Sequence, residues 1–324
     1  RSPDSFPSQN QRMISELVGR LFDVLSFGVL ALFTYEALSR ARTYVQDNMR
    51  LNVEDMLLKT SKDALKDIKV ALIVVDYQND FATGSLAIGA GDAGEDPVAR
   101  IPNVNRLLEL DFDAIIITKD WHPADHISFL SAARNPDRRL SDEFANKEIE
   151  MFDKVQFKQP KREQVLYPDH CVANTTGADF VPQMKVSSRA ITVLKGLETL
   201  VDSYSAFMDN EGDKKSELHE VLKEAGIDAV VVCGLAYDIC VFHTTKDARN
   251  LGFYAATVRD ASASFSSAGA RQAAEYHQEN LIKEMTTDEI IQMIKSRKYP
   301  QEWLKCAINE AKIQNNNFMS TLKN

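Results

Sequence analysis

The chain of 324 residues is predicted to have an α/β fold, a parallel sheet with helices on both faces. Short apolar runs without polar interruption recur from residue 70 onward, helical stretches separate them, and charged or thiol residues follow several of them. Uninterrupted apolar runs are typical of parallel strands that are buried on both faces. A helical N-terminal extension is predicted to precede this sheet.

Residues 1–67 are predicted to form that extension, because Leu, Phe, Met and Ala recur with charged residues at helical spacing and no proline follows Pro7. Its most apolar part, residues 24–35, reads VLSFGVLALFTY. This run is shorter than the roughly 20 residues that a helix needs to cross a bilayer. We therefore expect a buried helix without membrane insertion, and a helix on a membrane surface is the alternative.

Five apolar runs predict the strands of the main domain, residues 68–284. In chain order they are Val70–Val75, Ala114–Thr118, Ala190–Leu194, Ala229–Val232 and Phe253–Val258. After the fourth run, a helix is predicted to begin near Asp238. Residues 285–324 are predicted to be a helical tail, since TTDEI at its beginning suits a helix start.

A long charged stretch between Ser131 and Val165 interrupts the alternation of strands and helices. Connections of this length are usually functional or mobile. Two interpretations stay open: a flap over the functional site, or an insertion on the surface.

Charge and cysteine content narrow the class of protein. The formal net charge of −9, without a basic cluster that contains aromatics, argues against a nucleic-acid partner. The four cysteines, none of them in a C-x-x-C pair, are Cys171, Cys233, Cys240 and Cys306. Free thiols in a reducing compartment are expected for a chain of this size. We expect a cytoplasmic protein, with the nucleus as a further compartment; because the sequence begins with Arg1, a removed leader and secretion stay open.

Reactive side chains fall just after the predicted strands. Asp76 and Lys195 each follow an apolar run directly, and Cys240 lies near the start of the predicted helix. Ligands bind at the rim where the carboxyl ends of parallel strands meet. A helix start and a nearby ammonium favour a thiolate, so Cys240 is predicted to tend towards this form, and a carboxylate can take and return its proton. A buried structural cysteine beside solvated charges is the alternative.

The segment TKDWHPADHISF supplies residues of the types that bind metals. Asp120 and His122 are two positions apart, so both side chains project to one side of an extended stretch. His126 and His170 follow later in the chain. A carboxylate with imidazoles suits zinc, manganese or iron, and an incomplete set of protein ligands leaves room for substrate. A structural zinc site is the alternative, but such sites are usually closed and rich in cysteine.

Five ordered segments resemble the nicotinamidases, a family of isochorismatase-like cysteine hydrolases. They are VVDYQNDFATGSL, TKDWHPADHISF, YPDHCVANTTGADF, VLKG followed by DSYSAF, and GLAYDICV, within residues 69–283. The resemblance implies the three-layer isochorismatase-like fold and a metal-dependent amidase. It also implies that a thioester on Cys240 forms during hydrolysis of nicotinamide to nicotinate and ammonia, a reaction of NAD salvage.

Residue roles also follow from this resemblance, position by position. It implies a catalytic triad of Asp76, Lys195 and Cys240. It further implies an oxyanion site formed by the N–H groups of Ala236 and Cys240, with a cis peptide bond between Leu235 and Ala236.

The resemblance implies a divalent metal, zinc before manganese or iron. The implied ligands are Asp120, His122 and His170, with His126 or Asp202 added in some relatives. The implied walls of the substrate pocket are Phe81, Trp121, Tyr167 and Tyr204.

Other functions remain to be tested against this one. Another amidohydrolase of the superfamily is the nearest alternative, although such enzymes generally lack the full metal-ligand set. A binding or scaffold protein with the same fold is a second, and the intact triad argues against it. Residues 1–67 are a candidate for self-association or a membrane-surface role beside catalysis, so a homo-oligomer stays open.

Overall fold

The computed structural model describes residues 13, 16, 17, 20, 35, 36, 38–40, 42–44 and 55–321. The chain divides into two compact units, residues 1–60 and 61–324. The described residues of the first unit are helical, and Arg40 donates a hydrogen bond of 2.8 Å to Glu36 one turn earlier. The apolar run 24–35 lies outside the described residues except for Tyr35, which is exposed. Within the described part of the chain, every helix is too short or too polar to cross a membrane.

A parallel sheet of six strands organises the second unit, in the order β6-β2-β1-β7-β8-β9, and it confirms the predicted fold class. The strands are β1 Val70–Val75, β2 Ala114–Asp120, β6 Ala190–Lys195, β7 Ala229–Gly234, β8 Tyr254–Val258 and β9 Lys283–Met285. The sequence predicted all of these except β9. This edge strand is only three residues long, and its sequence KEM has no apolar run to reveal it.

Helices cover both faces of the sheet. One face holds Ile101–Leu108, Thr287–Ser296 and Gln301–Thr321, and the other holds Leu218–Glu224, Phe242–Asn250 and Ser267–Glu279. Shorter helical segments are Asn79–Ala82, Ile88–Ala90, Val98–Arg100, Asp142–Ala145, Thr176–Ala178, Tyr237–Val241 and Arg259–Ala261. Alternate residues of β1 point to opposite faces: Leu72 packs in one core and Ile73 in the other. Burial on both faces explains why the strands are apolar without alternation.

The helix start predicted at TTDEI is confirmed. Thr286 caps the helix Thr287–Ser296: its side chain accepts from the N–H of Glu289, and its own N–H donates to the Glu289 carboxylate at 2.7 Å. This reciprocal pair satisfies two N–H groups that the helix leaves without partners. The helix Gln301–Thr321 then packs on the sheet through buried Trp303, whose indole N–H donates to the carbonyl of Ala255 at 3.0 Å.

The charged stretch folds into a second, antiparallel sheet of three strands. These are β3 Arg139–Leu140, β4 Lys154–Gln159 and β5 Lys161–Val165, paired in the order β3-β4-β5. In β4 only Val155 and Phe157 are buried, and the alternate residues are exposed. The strand therefore alternates between polar and apolar residues, which hides it among the surrounding charges. The buried residues form a small core of Ile127, Ala133, Leu140, Val155, Phe157 and Leu166.

Candidate active site

The carboxyl ends of the parallel strands bring the predicted reactive residues to one edge of the sheet. Asp120 at the end of β2 pairs in register with Lys195 at the end of β6. Asp76 follows β1 with a φ of 50°, a left-handed conformation in which the chain leaves the strand. All three side chains are buried. A rim that was predicted from strand ends alone therefore holds three ionisable groups in contact.

The ammonium of Lys195 connects these groups. Its Nζ lies 2.9 Å from Asp76 Oδ2 and 3.6 Å from Cys240 Sγ. It also donates to Asp120 and, at 3.0 Å, to the carbonyl of Ser203. The Lys195 ammonium thus pairs with two buried carboxylates, so its positive charge is not available to the Cys240 thiol alone.

The two carboxylate oxygens of Asp76 have different partners. The hydroxyl of Thr118 donates to Oδ1 at 2.5 Å, whereas Oδ2 forms the ion pair with Lys195. Burial raises the pKa of Asp76 to about 6, the Lys195 ammonium opposes the rise, and the negative charge of Asp120 adds to it. Atoms of Asp76, Asp120 and Cys240 lie within 4.8 Å of one another. Asp76 is therefore placed to exchange a proton with the thiol.

Cys240 sits in a turn of π-helix, Tyr237–Val241, and the α-helix begins only after it, at Phe242. Burial raises the pKa of the Cys240 thiol well above its usual value; Lys195 opposes this, and the carboxylates of Asp76 and Asp120 reinforce it. This direction is opposite to the thiolate tendency expected from a helix start and an ammonium, because burial and two carboxylates outweigh one ammonium. A thiol with a raised pKa needs a base to become a nucleophile.

The turn before Cys240 has the predicted backbone. The peptide bond between Leu235 and Ala236 is cis, and both Ala236 and Cys240 line the pocket. Gly234, with a φ of 130°, makes the turn possible, since a Cβ there would lie 2.1 Å from the carbonyl oxygen of Val75. The backbone of this turn therefore packs directly against the end of β1, and a side chain at Gly234 would collide with it.

The three expected metal ligands converge beside this group. Asp120, His122 and His170 each offer a ligand atom, and these atoms lie within 4.8 Å of one another. A carbonyl can only accept, so Nδ1 of His122 donates to Gly196 at 2.9 Å and Nδ1 of His170 donates to Pro168 at 2.8 Å. In its neutral form each ring keeps a lone pair on Nε2, and Nε2 of His122 lies 3.5 Å from Oδ2 of Asp120.

The Nε2 atom of His122 is where a bound cation would be expected. Nε2 of His122 is buried and has no hydrogen-bond partner among the described residues. Burial lowers the pKa of His170 to about 4, which keeps that ring neutral as a ligand must be, whereas the Asp120 carboxylate, against burial, raises the pKa of His122. Gly196 makes room for the His122 ring, because a Cβ there would lie 2.3 Å from it. The donor set fits a divalent metal with an open position.

His126 and Asp202, the two further candidates, form a second group with His122 whose ligand atoms lie within 4.8 Å of one another, and both also make hydrogen bonds within the protein. Nε2 of His126 lies 3.2 Å from the carbonyl of Val201 and so carries a proton, and its ring stacks on His122 at 4.0 Å between centroids. Asp202 accepts from the N–H of Ser203 at 2.8 Å and from Gln164 at 3.0 Å. Asp202 still lines the pocket, whereas His126 supports the neighbouring ligand.

A pocket with a cavity volume of about 40 Å³ opens above these groups. It is lined by Phe81, Leu86, Ile88, Asp120, Phe152, Tyr167, His170, Asp202, Tyr204, Ala236, Ile239, Cys240 and Phe265. Three of the four expected wall residues are among them. Trp121 is not: its ring lies 5.1 Å from the ammonium of Lys119, since successive side chains of an extended segment point to opposite sides.

The sequence reasoning missed a buried amide that supports the metal site. Gln78 accepts from the N–H of Asp120 at 2.8 Å and donates to the carbonyls of Asp120 at 2.7 Å and Ala178 at 3.0 Å. Its side chain thus holds the backbone of a metal ligand on both sides. The role of Gln78 could have been predicted from its position two residues after Asp76. A polar side chain that is buried at this rim needs a hydrogen-bond partner.

Known proteins share this arrangement of sequence and fold. Residues 70–289 match the family model described as Isochorismatase domain. The nicotinamidase of Acinetobacter baylyi is 39% identical over 194 residues, which are 59% of this chain and 79% of that protein. The part that the family model matches includes the whole parallel sheet.

Two solved structures are similar as well. The nicotinamidase/pyrazinamidase of Acinetobacter baumanii has a TM-score of 0.60 and 31% identity, with 69% of this chain and 99% of that chain covered. The pyrazinamidase of Pyrococcus horikoshii in complex with zinc has a TM-score of 0.52 and 28% identity, over 67% of this chain and 99% of that chain.

Proposed function

Since this chain belongs to the isochorismatase family, and to the nicotinamidases within it, we propose that it hydrolyses nicotinamide to nicotinate and ammonia. One observation carries the proposal: the Asp76, Lys195 and Cys240 cluster and an open metal-ligand set share a single apolar-walled pocket. We assign the activity to residues 68–284.

A divalent metal belongs to this site, and we propose zinc, with manganese or iron as alternatives. Asp120, His122 and His170 would hold it, and a zinc complex of the related pyrazinamidase supports the choice. When bound, such an ion supplies a Lewis acid that accepts a lone pair from the substrate ring and orients it. The aromatic walls Phe81 and Tyr167 would flank that ring.

Attack on the carboxamide begins at the Cys240 thiol. As Sγ bonds to the amide carbon, its proton passes to Asp76, whose raised pKa of about 6 leaves it ionised at neutral pH yet basic enough to accept. The Lys195 ammonium lies beside both groups and stabilises the anionic charge as it moves from carboxylate to sulfur.

The charge that develops on the amide oxygen needs donors. The N–H groups of Ala236 and Cys240 are proposed to supply them, and loss of one such donor typically costs about 10²–10³ in rate. Asp76 then returns its proton to the departing ammonia, which leaves a thioester. In the second half the same carboxylate takes a proton from the water that attacks the thioester carbon, and it returns this proton to Sγ of Cys240 as the C–S bond breaks and nicotinate leaves.

Ammonia release from nicotinamide tests the proposal. Cys240→Ala is expected to lower kcat/KM by about 10⁴-fold or more, because it removes the nucleophile. Cys306→Ala is the matched control, since this buried thiol lies in a helix outside the pocket. A chelator should abolish wild-type activity, and added zinc should restore it. Ammonia release that survives Cys240→Ala would refute the proposed chemistry.

We also propose a cytoplasmic location. All four cysteines are free and buried, which suits a reducing compartment. Fractionation of cells that express the full-length protein, with an antibody against it, measures this directly. Recovery in a secreted or membrane fraction would contradict it.

A further inference from the structure

The lining of the pocket can be ordered from floor to mouth by exposure. Cys240 and Asp120 at the floor are 6% and 4% exposed. Phe152 is 46% exposed, and among the lining residues, all of which the structure describes, it alone is classed as exposed. This ring therefore stands at the mouth, where a ligand enters and leaves.

The backbone of Phe152 is held in a conformation that a bulky residue rarely adopts. Its φ is 72°, in the left-handed region that residues other than glycine rarely adopt. The Phe152 N–H donates to the carbonyl of Leu166 at 2.6 Å, and the Leu166 N–H donates to Asp153 at 3.0 Å. Leu166 belongs to the small core of the antiparallel sheet. That sheet thus keeps the ring in place.

The opposite side of the mouth belongs to the nucleophile turn. The ring of Phe265 lies 5.3 Å from that of Phe152 between centroids, and the N–H of Phe265 donates to Asp238 at 2.9 Å. Asp238 is part of the same π-helical turn as Cys240. Two distant segments, the inserted sheet and the catalytic turn, therefore meet through one aromatic pair.

We propose that Phe152 is a specificity-determining residue, which with Phe265 closes the pocket over one six-membered heteroaromatic ring and excludes amides with a fused second ring. The inference rests on the proposed amidase function. Apolar contacts such as these change discrimination by about 10–200-fold for a small group. The charged stretch between Ser131 and Val165 thereby acts as a flap over the site, one of the two interpretations that its sequence left open.

Two amides of different size test the role: nicotinamide and quinoline-3-carboxamide. In Phe152→Ala, the ratio of kcat/KM for the fused-ring amide to that for nicotinamide should rise about 10-fold or more. KM for nicotinamide should increase, while kcat stays within about twofold because Phe152 does not touch the reacting atoms. Met151→Ala is the matched control: this neighbour is 52% exposed and does not line the pocket.

A second variant separates the ring from the fold of the flap. Phe152→Gly removes the ring but tolerates the left-handed backbone, so it should keep or raise the Tm while showing the same change in selectivity. An unchanged selectivity ratio in both variants, or the same change in Met151→Ala, would overturn the inference.

Failure of the proposed function is distinguishable from failure of this inference. Wild-type protein that releases no ammonia from nicotinamide contradicts the function only. In that case, calorimetric binding of nicotinate and quinoline-3-carboxylate is compared between Cys240→Ala and the double variant Cys240→Ala, Phe152→Gly. Preferential gain of the larger ligand in the double variant supports the role of Phe152, and equal affinities contradict it.

Discussion

Asp76 shows how burial and charge oppose each other at a single residue. Removal from water raises its pKa, the ammonium of Lys195 lowers it, and the balance of about 6 lies above the usual value of an aspartate. A free aspartate would be too weak a base for a thiol, and an unpaired buried one would stay protonated at neutral pH. The position of one lysine therefore decides whether this carboxylate can work as a base.

This balance predicts the acidic side of the pH profile. Because the pKa is raised, Asp76 becomes protonated on acidification already near pH 6, and a protonated carboxyl cannot accept the thiol proton. For the metal-saturated enzyme, kcat/KM should fall below about pH 6 by up to tenfold per unit. Ammonia release across the pH range measures it. Samples returned to neutral pH must recover, and a profile that stays flat well below pH 6 would contradict the role of Asp76.

Gln78 acts at the residue scale through another residue's backbone. Gln78→Leu leaves the N–H and carbonyl of Asp120 without partners, so the metal ligand should lose its fixed position. We expect metal affinity to weaken about 10–100-fold, as for other groups that orient ligands. Competition with a chelator measures this. Gln156→Leu, at an exposed position of β4, is the control, and equal affinities in both variants would refute the role.

At the scale of elements, the strands of the antiparallel sheet are harder to predict from the sequence than those of the parallel sheet. Strand β1 is buried at every position, so VALIVV is recognisable by composition alone. Strand β4 buries only alternate residues, and lysines and glutamines occupy the others. A half-exposed strand within a charged stretch has too few apolar residues to be predicted with the same certainty.

The C-terminal helix Gln301–Thr321 depends on one aromatic anchor. Trp303 is fully buried, and its indole N–H donates to Ala255 in β8 at 3.0 Å. Trp303→Ala should lower the free energy of unfolding by about 3–5 kcal/mol, since it leaves a cavity and an unpaired carbonyl. Urea denaturation measures the change. Ile313→Ala on the exposed side of the same helix should cost well under about 1 kcal/mol, and equal losses would refute the anchor.

At the scale of the whole molecule, the division into two units separates the site from the front of the chain. Every residue of the candidate site lies in the unit 61–324. Deletion of residues 1–60 should therefore leave metal content and kcat/KM within about twofold, because a domain with its own core can fold alone. Ammonia release and metal analysis of both proteins check this. A folded but inactive shorter protein would place a catalytic requirement in the extension.

Light scattering on the same two proteins tests the alternative that residues 1–67 mediate self-association. A smaller assembly after deletion supports that role, and an unchanged mass argues against it. Lipid vesicles added to both proteins test the membrane-surface alternative in the same way.

The sequence by itself determined the α/β class, the rim and the identity of the residues on it. Local periodicity reveals buried strands, and parallel strands place their carboxyl ends at one edge, so Asp76, Asp120 and Lys195 could be assigned to the same rim; the strand order β6-β2-β1 brings them into contact. Only the tertiary structure decided that burial raises the pKa of the Cys240 thiol, that Trp121 does not line the pocket and that Phe152 does. These properties depend on desolvation and on neighbours far away in the chain, which no local pattern records.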